Sequence, residues 1–256
     1  MSGTVAAATR AEVCVVACAE AWRDAGEILI SPFGAVPAVG ARLARATFAP
    51  ELLLSDGEAM FAAGVWPYGE KPQVIEGWVP FRAILDLVFG GKRHVMMMPS
   101  QIDRHGNTNI SSIGADYERP DVQLLGSRGA PGNTVNHPTS YWLPRHTTRA
   151  FVPRVDFVSG VGYDSAAAAG PSAERFHDLR RVVTNLAVLD FGGPERTMRL
   201  VSTHPGVSRA EVEAATGFEL AGEAEPAETR TPSEEELRLI REVIDPRGAR
   251  ESEVRS

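Results

Sequence analysis

Two cysteines, Cys14 and Cys18, are all that the 256 residues contain. They lie one helical turn apart with no third cysteine, so they complete neither a zinc site nor a disulfide framework. Buried free thiols are the remaining reading. None of the six histidines falls in a HExxH or similar spacing, so no metal is expected. No run of about eighteen apolar residues occurs, which argues against a transmembrane helix. The first residues lack a basic segment followed by an apolar run and a small-residue cleavage site, which argues against a signal peptide and for a cytoplasmic protein. A basic excess is missing too: 26 Lys and Arg face 33 Asp and Glu, a net charge of −7. Nucleic acid and anionic membrane surfaces are therefore not expected partners. That global sign leaves room for a local basic pocket, because Arg104, Arg119, Arg128, Arg145, Arg149 and Arg154 crowd the middle third.

The composition that is present, 43% hydrophobic and 23% charged, suits one α/β domain spanning residues 1–256 that buries most of its unfolded surface. Thr9-Arg10-Ala11-Glu12 has the form of a capping box, and the helix it starts shows one apolar stripe and a solvated side before Gly26. Ile28–Ile30, Leu52–Leu54 and His94–Met98 read as buried strands. Val36–Ala46 and Phe81–Phe89 read as helices between them. This alternation predicts βαβ units and an open, mostly parallel sheet flanked by helices. Further on, Arg181–Asp190 and Thr197–Ser202 flank Phe191-Gly192-Gly193-Pro194 as a hairpin. Ser208-Arg209-Ala210-Glu211 and Ser233-Glu234-Glu235-Glu236 cap two late helices, the last ending at Pro246. Residues 162–171 and 222–231 read as a loop and as a linker before the final helix.

In an open parallel sheet, ligands gather beyond the carboxyl ends of the strands. Three small-residue loops follow buried strands: Ser31-Pro32-Phe33-Gly34, Ser55-Asp56-Gly57-Glu58 and the segment after Met98. The sharpest local element is Gly126-Ser127-Arg128-Gly129-Ala130-Pro131-Gly132-Asn133. Glycines let such a loop turn several backbone N–H groups toward one oxygen. A tight surface turn with a solvated Arg is the plainer alternative. Asn133, Asn136 and His137 are within reach of the same region, although isolated histidines are more often structural.

Three ordered segments carry a resemblance: Gln101-Ile102-Asp103-Arg104-His105-Gly106-Asn107-Thr108-Asn109, Gly114-Ala115-Asp116-Tyr117 and Gly126-Ser127-Arg128-Gly129-Ala130. With Phe151–Ser159, Gly162-Tyr163, Thr216–Leu220 and Leu239–Pro246 in order after them, the chain resembles the beta subunit of family I CoA-transferases, glutaconate CoA-transferase type. The resemblance implies the NagB/RpiA-like fold and a partnership with an alpha subunit of the same family, as an α2β2 assembly. It implies an acyl-CoA substrate and no separate cofactor. It places Gln101–Asn109 as scaffold and Gly126–Asn133 beside the reacting thioester.

The departures from that family are as informative. Its beta subunits carry an acyl-accepting Glu after a hydrophobic strand, and in register through Gly57 that position is Ser55. Arg128 stands where the loop usually has Gly. The resemblance therefore points to a divergent branch in which a heteromeric hydrolase opens the last steroid ring, a cyclic β-oxo acyl-CoA, with the catalytic carboxylate on the alpha chain. On that reading Arg128 stabilises an oxyanion or enolate, and Ser55, Asp56, Gly126, Ser127, Gly129, Ala130 and Asn133 line the substrate site. Two alternatives stay open. Asp56 or Glu58 serves as a displaced acyl acceptor in a true transferase, or the chain is a non-catalytic acyl-CoA-binding subunit.

Overall fold

Thr9 opens the first helix, α1 (Arg10–Glu20), as a reciprocal cap: its hydroxyl accepts from Glu12 N and the Glu12 carboxylate accepts from Thr9 N. The computed structural model describes residues 7–55, 60–90 and 92–254. The expected solvated side is confined to the far end, where Glu20 is half-buried and Asp24 exposed; from Ala11 to Ala19 every residue of α1 is buried, Glu12 included. The reason lies in α2 (Ala35–Thr47), which approaches so closely that a Cβ on Gly40 would stand 2.8 Å from the Val15 carbonyl oxygen. Small side chains on both helices permit that approach. Glu12, sealed beneath, is neutralised by Arg241 and Arg250 at 2.7 and 2.9 Å.

Strand β1 (Leu29–Pro32) precedes α2. After it come β2 (Leu54–Ser55), β3 (Met60–Ala62) and β4 (Ile75–Trp78), which pair antiparallel as a small separate sheet. Among the described residues, the expected strand at Leu52–Leu54 thus joins the main sheet through a parallel bridge between Leu53 and Leu29. Helix α3 (Phe81–Gly90) leads into β5 (Arg93–Met97). The polar segment beyond it folds into two small hairpins, β6 (Gln101–Ile102) with β7 (Thr108–Asn109) and β8 (Ser112–Ile113) with β9 (Val122–Gln123). Helix α4 (Ala130–Asn136) then precedes β10 (Thr139–Leu143).

Residues 162–171, expected as a loop, are helical instead: α5 (Tyr163–Ala169) and α6 (Pro171–Glu174) meet at Gly170. The alanine run has high helix propensity, and the Tyr163 hydroxyl anchors its start by bonding both the carbonyl and the N–H of Leu179. The strand expected over 181–190 is itself a hairpin, β11 (Leu179–Thr184) and β12 (Ala187–Asp190). Its tight turn forms because the Thr184 hydroxyl accepts from the N–H groups of Leu186 and Ala187, each at 3.0 Å. The hairpin around Phe191–Pro194 is present, pairing β12 with β13 (Arg199–Thr203). After α7 (Arg209–Ala214), part of the expected linker is β14 (Ala227–Glu228), laid parallel to β13. The chain closes with α8 (Glu234–Arg238), a π-helical turn at Leu239–Ile244 that stops before Pro246, and α9 (Arg250–Glu253).

The main sheet has the order β1-β5-β10-β11-β12-β13-β14, and β1, β5, β10 and β11 run parallel. Alternation along the strands feeds two apolar clusters. Ile30, Met96, Trp142 and Val183 face α1, α2 and the C-terminal helices, whereas Val95, Tyr141, Leu143 and Val182 face α4 and the Gln101–Phe151 region. The fold class is therefore α/β, with a mostly parallel sheet between helical layers. Among the described residues no helix is long and apolar enough to cross a membrane.

Candidate active site

The carboxyl ends of β1, β5 and β10 share one edge, and the loop after β1 is fixed there by a residue far away in sequence. Gly34, at φ +104°, begins α2 without a side-chain cap. The Glu253 carboxylate fills that role, accepting from Ala35 N at 2.6 Å, Val36 N at 3.0 Å and Trp142 Nε1 at 3.2 Å. A carboxylate on the first N–H groups of a helix is favoured by charge and geometry together. Glu253→Ala is expected to cost about 1–3 kcal/mol, the range for losing charge-assisted bonds of this kind, and Glu253→Gln less. Urea unfolding measures it, and an unchanged midpoint in the Ala variant would remove Glu253 as the clamp of this loop.

Ser55 ends β2, half-buried, opposite Phe61. Asp56, Gly57 and Glu58 lie outside the described residues. The Gly126–Asn133 run makes a sharp loop into α4. Gly126 takes φ +90° and spends its N–H on the Ile110 carbonyl at 3.0 Å. Arg128 takes φ +50°, a left-handed conformation that costs a non-glycine residue about 1–3 kcal/mol. Its side chain is exposed and has no hydrogen-bond or ion-pair partner among the described residues. The consecutive N–H groups of Ser127, Arg128 and Gly129 are likewise without a partner among the described residues, the state an oxyanion-binding loop requires. The loop is held in place by a run of hydroxyls: Ser127 Oγ is 2.9 Å from Ser111 Oγ, which is 2.7 Å from Ser159 Oγ.

The other residues predicted for this site turn inward. Ala130 is buried in the apolar cluster. Asn133 is buried too, with Oδ1 accepting from Arg93 Nη1 at 2.9 Å and Nδ2 3.5 Å from the Met97 sulfur. His137 is buried, and that burial lowers its pKa to about 4. The Gln101–Asn109 segment is tied into the frame. The Gln101 amide reaches Asp156 and accepts from Asn109, while Asp103 accepts from the N–H groups of His105 and Asn107. Both cysteines are buried, which pushes their thiols up and away from reactivity.

Sequence reasoning missed Arg93. Its Nε donates to Ser31 Oγ at 2.9 Å, so it joins the β1 edge to Asn133 and hence to the Gly126–Asn133 loop. The only signal was its place two residues before Val95 at the head of a buried strand, on the face of the sheet that Val95 and Met97 share.

The family model described as Coenzyme A transferase matches residues 85–215. The cholesterol ring-cleaving hydrolase IpdB subunit of Rhodococcus jostii is 54% identical over 254 residues, covering 99% of each chain. This chain belongs to the coenzyme A transferase family. Among solved members, the Rhodococcus jostii RHA1 IpdAB crystal structure superposes with a TM-score of 0.93 at 54% identity, covering 97% of this chain and 99% of that one. The glutaconate coenzyme A-transferase of Acidaminococcus fermentans shares the fold, with a TM-score of 0.80 at 23% identity over 93% and 95% of the two chains. The coenzyme A transferase frame is thus kept across a wide sequence range.

Proposed function

We propose that this chain is the beta subunit of a heteromeric hydrolase that opens the last steroid ring, a cyclic β-oxo acyl-CoA, in cholesterol catabolism. The observation that carries this reading is the 54% identity, over nearly the full length of both chains, to a subunit named for cholesterol ring cleavage. The Rhodococcus jostii RHA1 IpdAB structure, 54% identical over nearly the whole chain, supports an alpha partner. The finer reading is an α2β2 assembly in the cytoplasm, with the catalytic carboxylate on the alpha chain and no cofactor beyond the acyl-CoA substrate.

The residues of this chain fit that chemistry. Water adds to the ring ketone, the bond from that carbon to the α-carbon breaks, and the electron pair passes to the thioester as an enolate. A proton at the α-carbon then completes the ring-opened thioester, and the former ketone carbon becomes a carboxylate. The N–H groups of Ser127, Arg128 and Gly129 are the backbone donors this reading offers to the enolate charge, and the exposed Arg128 guanidinium adds a cation beside them. A carboxylate from the alpha chain activates the water. Ser55 carries no carboxylate and cannot form the acyl anhydride a transferase needs.

The test uses the chain co-purified with its alpha partner, the cyclic β-oxo acyl-CoA, ¹⁸O-labelled water and no acceptor acid. Ring-opened acyl-CoA carrying one heavy oxygen is the expected product by mass spectrometry. Substrate that reacts only when an acceptor acid is added would overturn hydrolysis and return Asp56 or Glu58 as acyl acceptor.

A further inference from the structure

Three side chains from three strands stand on one face at the β1 edge of the sheet. Leu53 and Leu29 are bridged in parallel, and two residues beyond them stand Ser55 and Ser31. Leu54 and Ile30 are buried in the cluster under α1 and α2, so strand alternation turns Ser55 and Ser31 to the opposite face. Arg93 is on that face as well, since His94 packs against Trp22 of the α1 side and Arg93 donates to Ser31 Oγ.

Arg93 is a half-buried cation whose two partners, Ser31 and Asn133, are both neutral. Burial lowers its pKa, and no charge among the described residues offsets that cost. Arg250, more deeply buried, shows the usual remedy, with Asp245 and Glu12 each 2.9 Å away. Nε and one Nη1 hydrogen are used at Arg93. Nη2 has no partner among the described residues, yet it is not one of the buried unpaired nitrogens. One Nη1–H and both Nη2–H groups therefore remain, and the Nη1/Nη2 edge of a guanidinium takes a carboxylate through two parallel bonds. Ser31 and Asn133 hold that fork at a fixed angle.

We propose that Arg93, oriented by Ser31 and Asn133, is the binding residue for the carboxylate that ring opening creates, on the face of the sheet shared with Ser55. The inference rests on the hydrolytic reading above and extends it by giving the second product group a place. The thioester end is held at Ser127–Gly129. The former ketone carbon, now a carboxylate, is held at Arg93. Substrate carries no charge at this carbon, so the site favours the opened over the closed form.

The experiment measures binding, without turnover, to the co-purified heteromer by titration calorimetry. The probes are pimeloyl-CoA, which is the ring-opened form of the simplest six-membered cyclic β-oxo acyl-CoA, and its methyl ester. The unmodified protein is expected to prefer the free acid by on the order of 10- to 100-fold, the range for a charge-assisted bonded pair. Arg93→Gln is expected to abolish that preference while leaving methyl-ester affinity nearly unchanged, and Arg93→Lys to retain part of it. No preference in the unmodified protein, or a preference that survives Arg93→Gln, overturns the assignment. So does an equal loss for both probes, which would make Arg93 structural. Failure of the hydrolytic reading appears separately, as absent ¹⁸O incorporation.

Discussion

Arg128→Gly is expected to slow ring opening by about 100- to 1,000-fold, the cost of removing one fixed donor from a developing oxyanion, while leaving the protein as stable as before or slightly more so. The two effects have opposite signs for a physical reason. Arg128 sits at φ +50°, where a side chain is strained and glycine is not. Glycine relieves that strain, offset in part by the greater freedom it gives the unfolded chain, so the net change is at most about 1 kcal/mol. No hydrogen bond or ion pair among the described residues is lost, because the guanidinium makes none. A strained cation that stabilises nothing in the folded chain is the pattern expected when the residue is kept for the reaction. The measurement is kcat for ring opening beside a urea midpoint, with the heteromer intact. Undiminished ring opening would show that the loop works through its backbone alone. A fall in activity matched by a fall in stability would make Arg128 a structural residue instead.

How far the sequence reveals this molecule depends on whether a contact is local. The three capping boxes, at Thr9, Ser208 and Ser233, are all formed, because each is settled within four residues. The Gly126–Ala130 loop was legible for the same reason. The Glu253 clamp was not, since 218 residues separate Glu253 from Ala35 and no local pattern announces it. The burial of Glu12 was hidden likewise. Its charge suggested solvent, whereas Arg241 and Arg250 arrive from the far end of the chain. The break of the 181–190 strand turned on one hydroxyl, Thr184, choosing to bond the backbone ahead of it. For the candidate site, Ser55 and Arg128 stood out only against a resemblance. Arg93 needed the sheet register, which places it on the same face as Ser31 and Ser55.

Stability is expected to fall steeply between about pH 6.5 and pH 4, before most carboxylates titrate, because four histidines are buried in neutral form. Burial lowers His94 and His146 to about 3 and His137 and His204 to about 4. Their neutral rings are built into the frame. His146 stacks on Phe151 at 3.8 Å between centroids and lies 3.1 and 2.9 Å from the hydroxyls of Thr184 and Thr216. His204 Nε2 is 2.8 Å from the Thr184 carbonyl oxygen, and His94 Nε2 is 2.9 Å from Ser140 Oγ. In the unfolded chain the same rings titrate near 6.5. As pH drops below that value the unfolded state binds protons that the folded state refuses, so the free energy of unfolding declines until pH reaches the folded values. Each ring contributes up to about 1.4 kcal/mol per pH unit, so four acting together approach about 5 kcal/mol per unit. Against a typical total of roughly 5–15 kcal/mol, unfolding is expected near pH 4.5–5.5. The carboxylates of Glu12, Asp190 and Glu236, held low by their arginines, act in the same direction but lose their contribution only below about pH 4.5. The two sources therefore separate on the pH axis. Urea midpoints at intervals from pH 7 to pH 4 measure the slope, and His146→Gln should reduce it by about one proton's worth. A flat profile down to pH 5 would mean that the buried rings accept protons in place, contrary to the geometry that holds them.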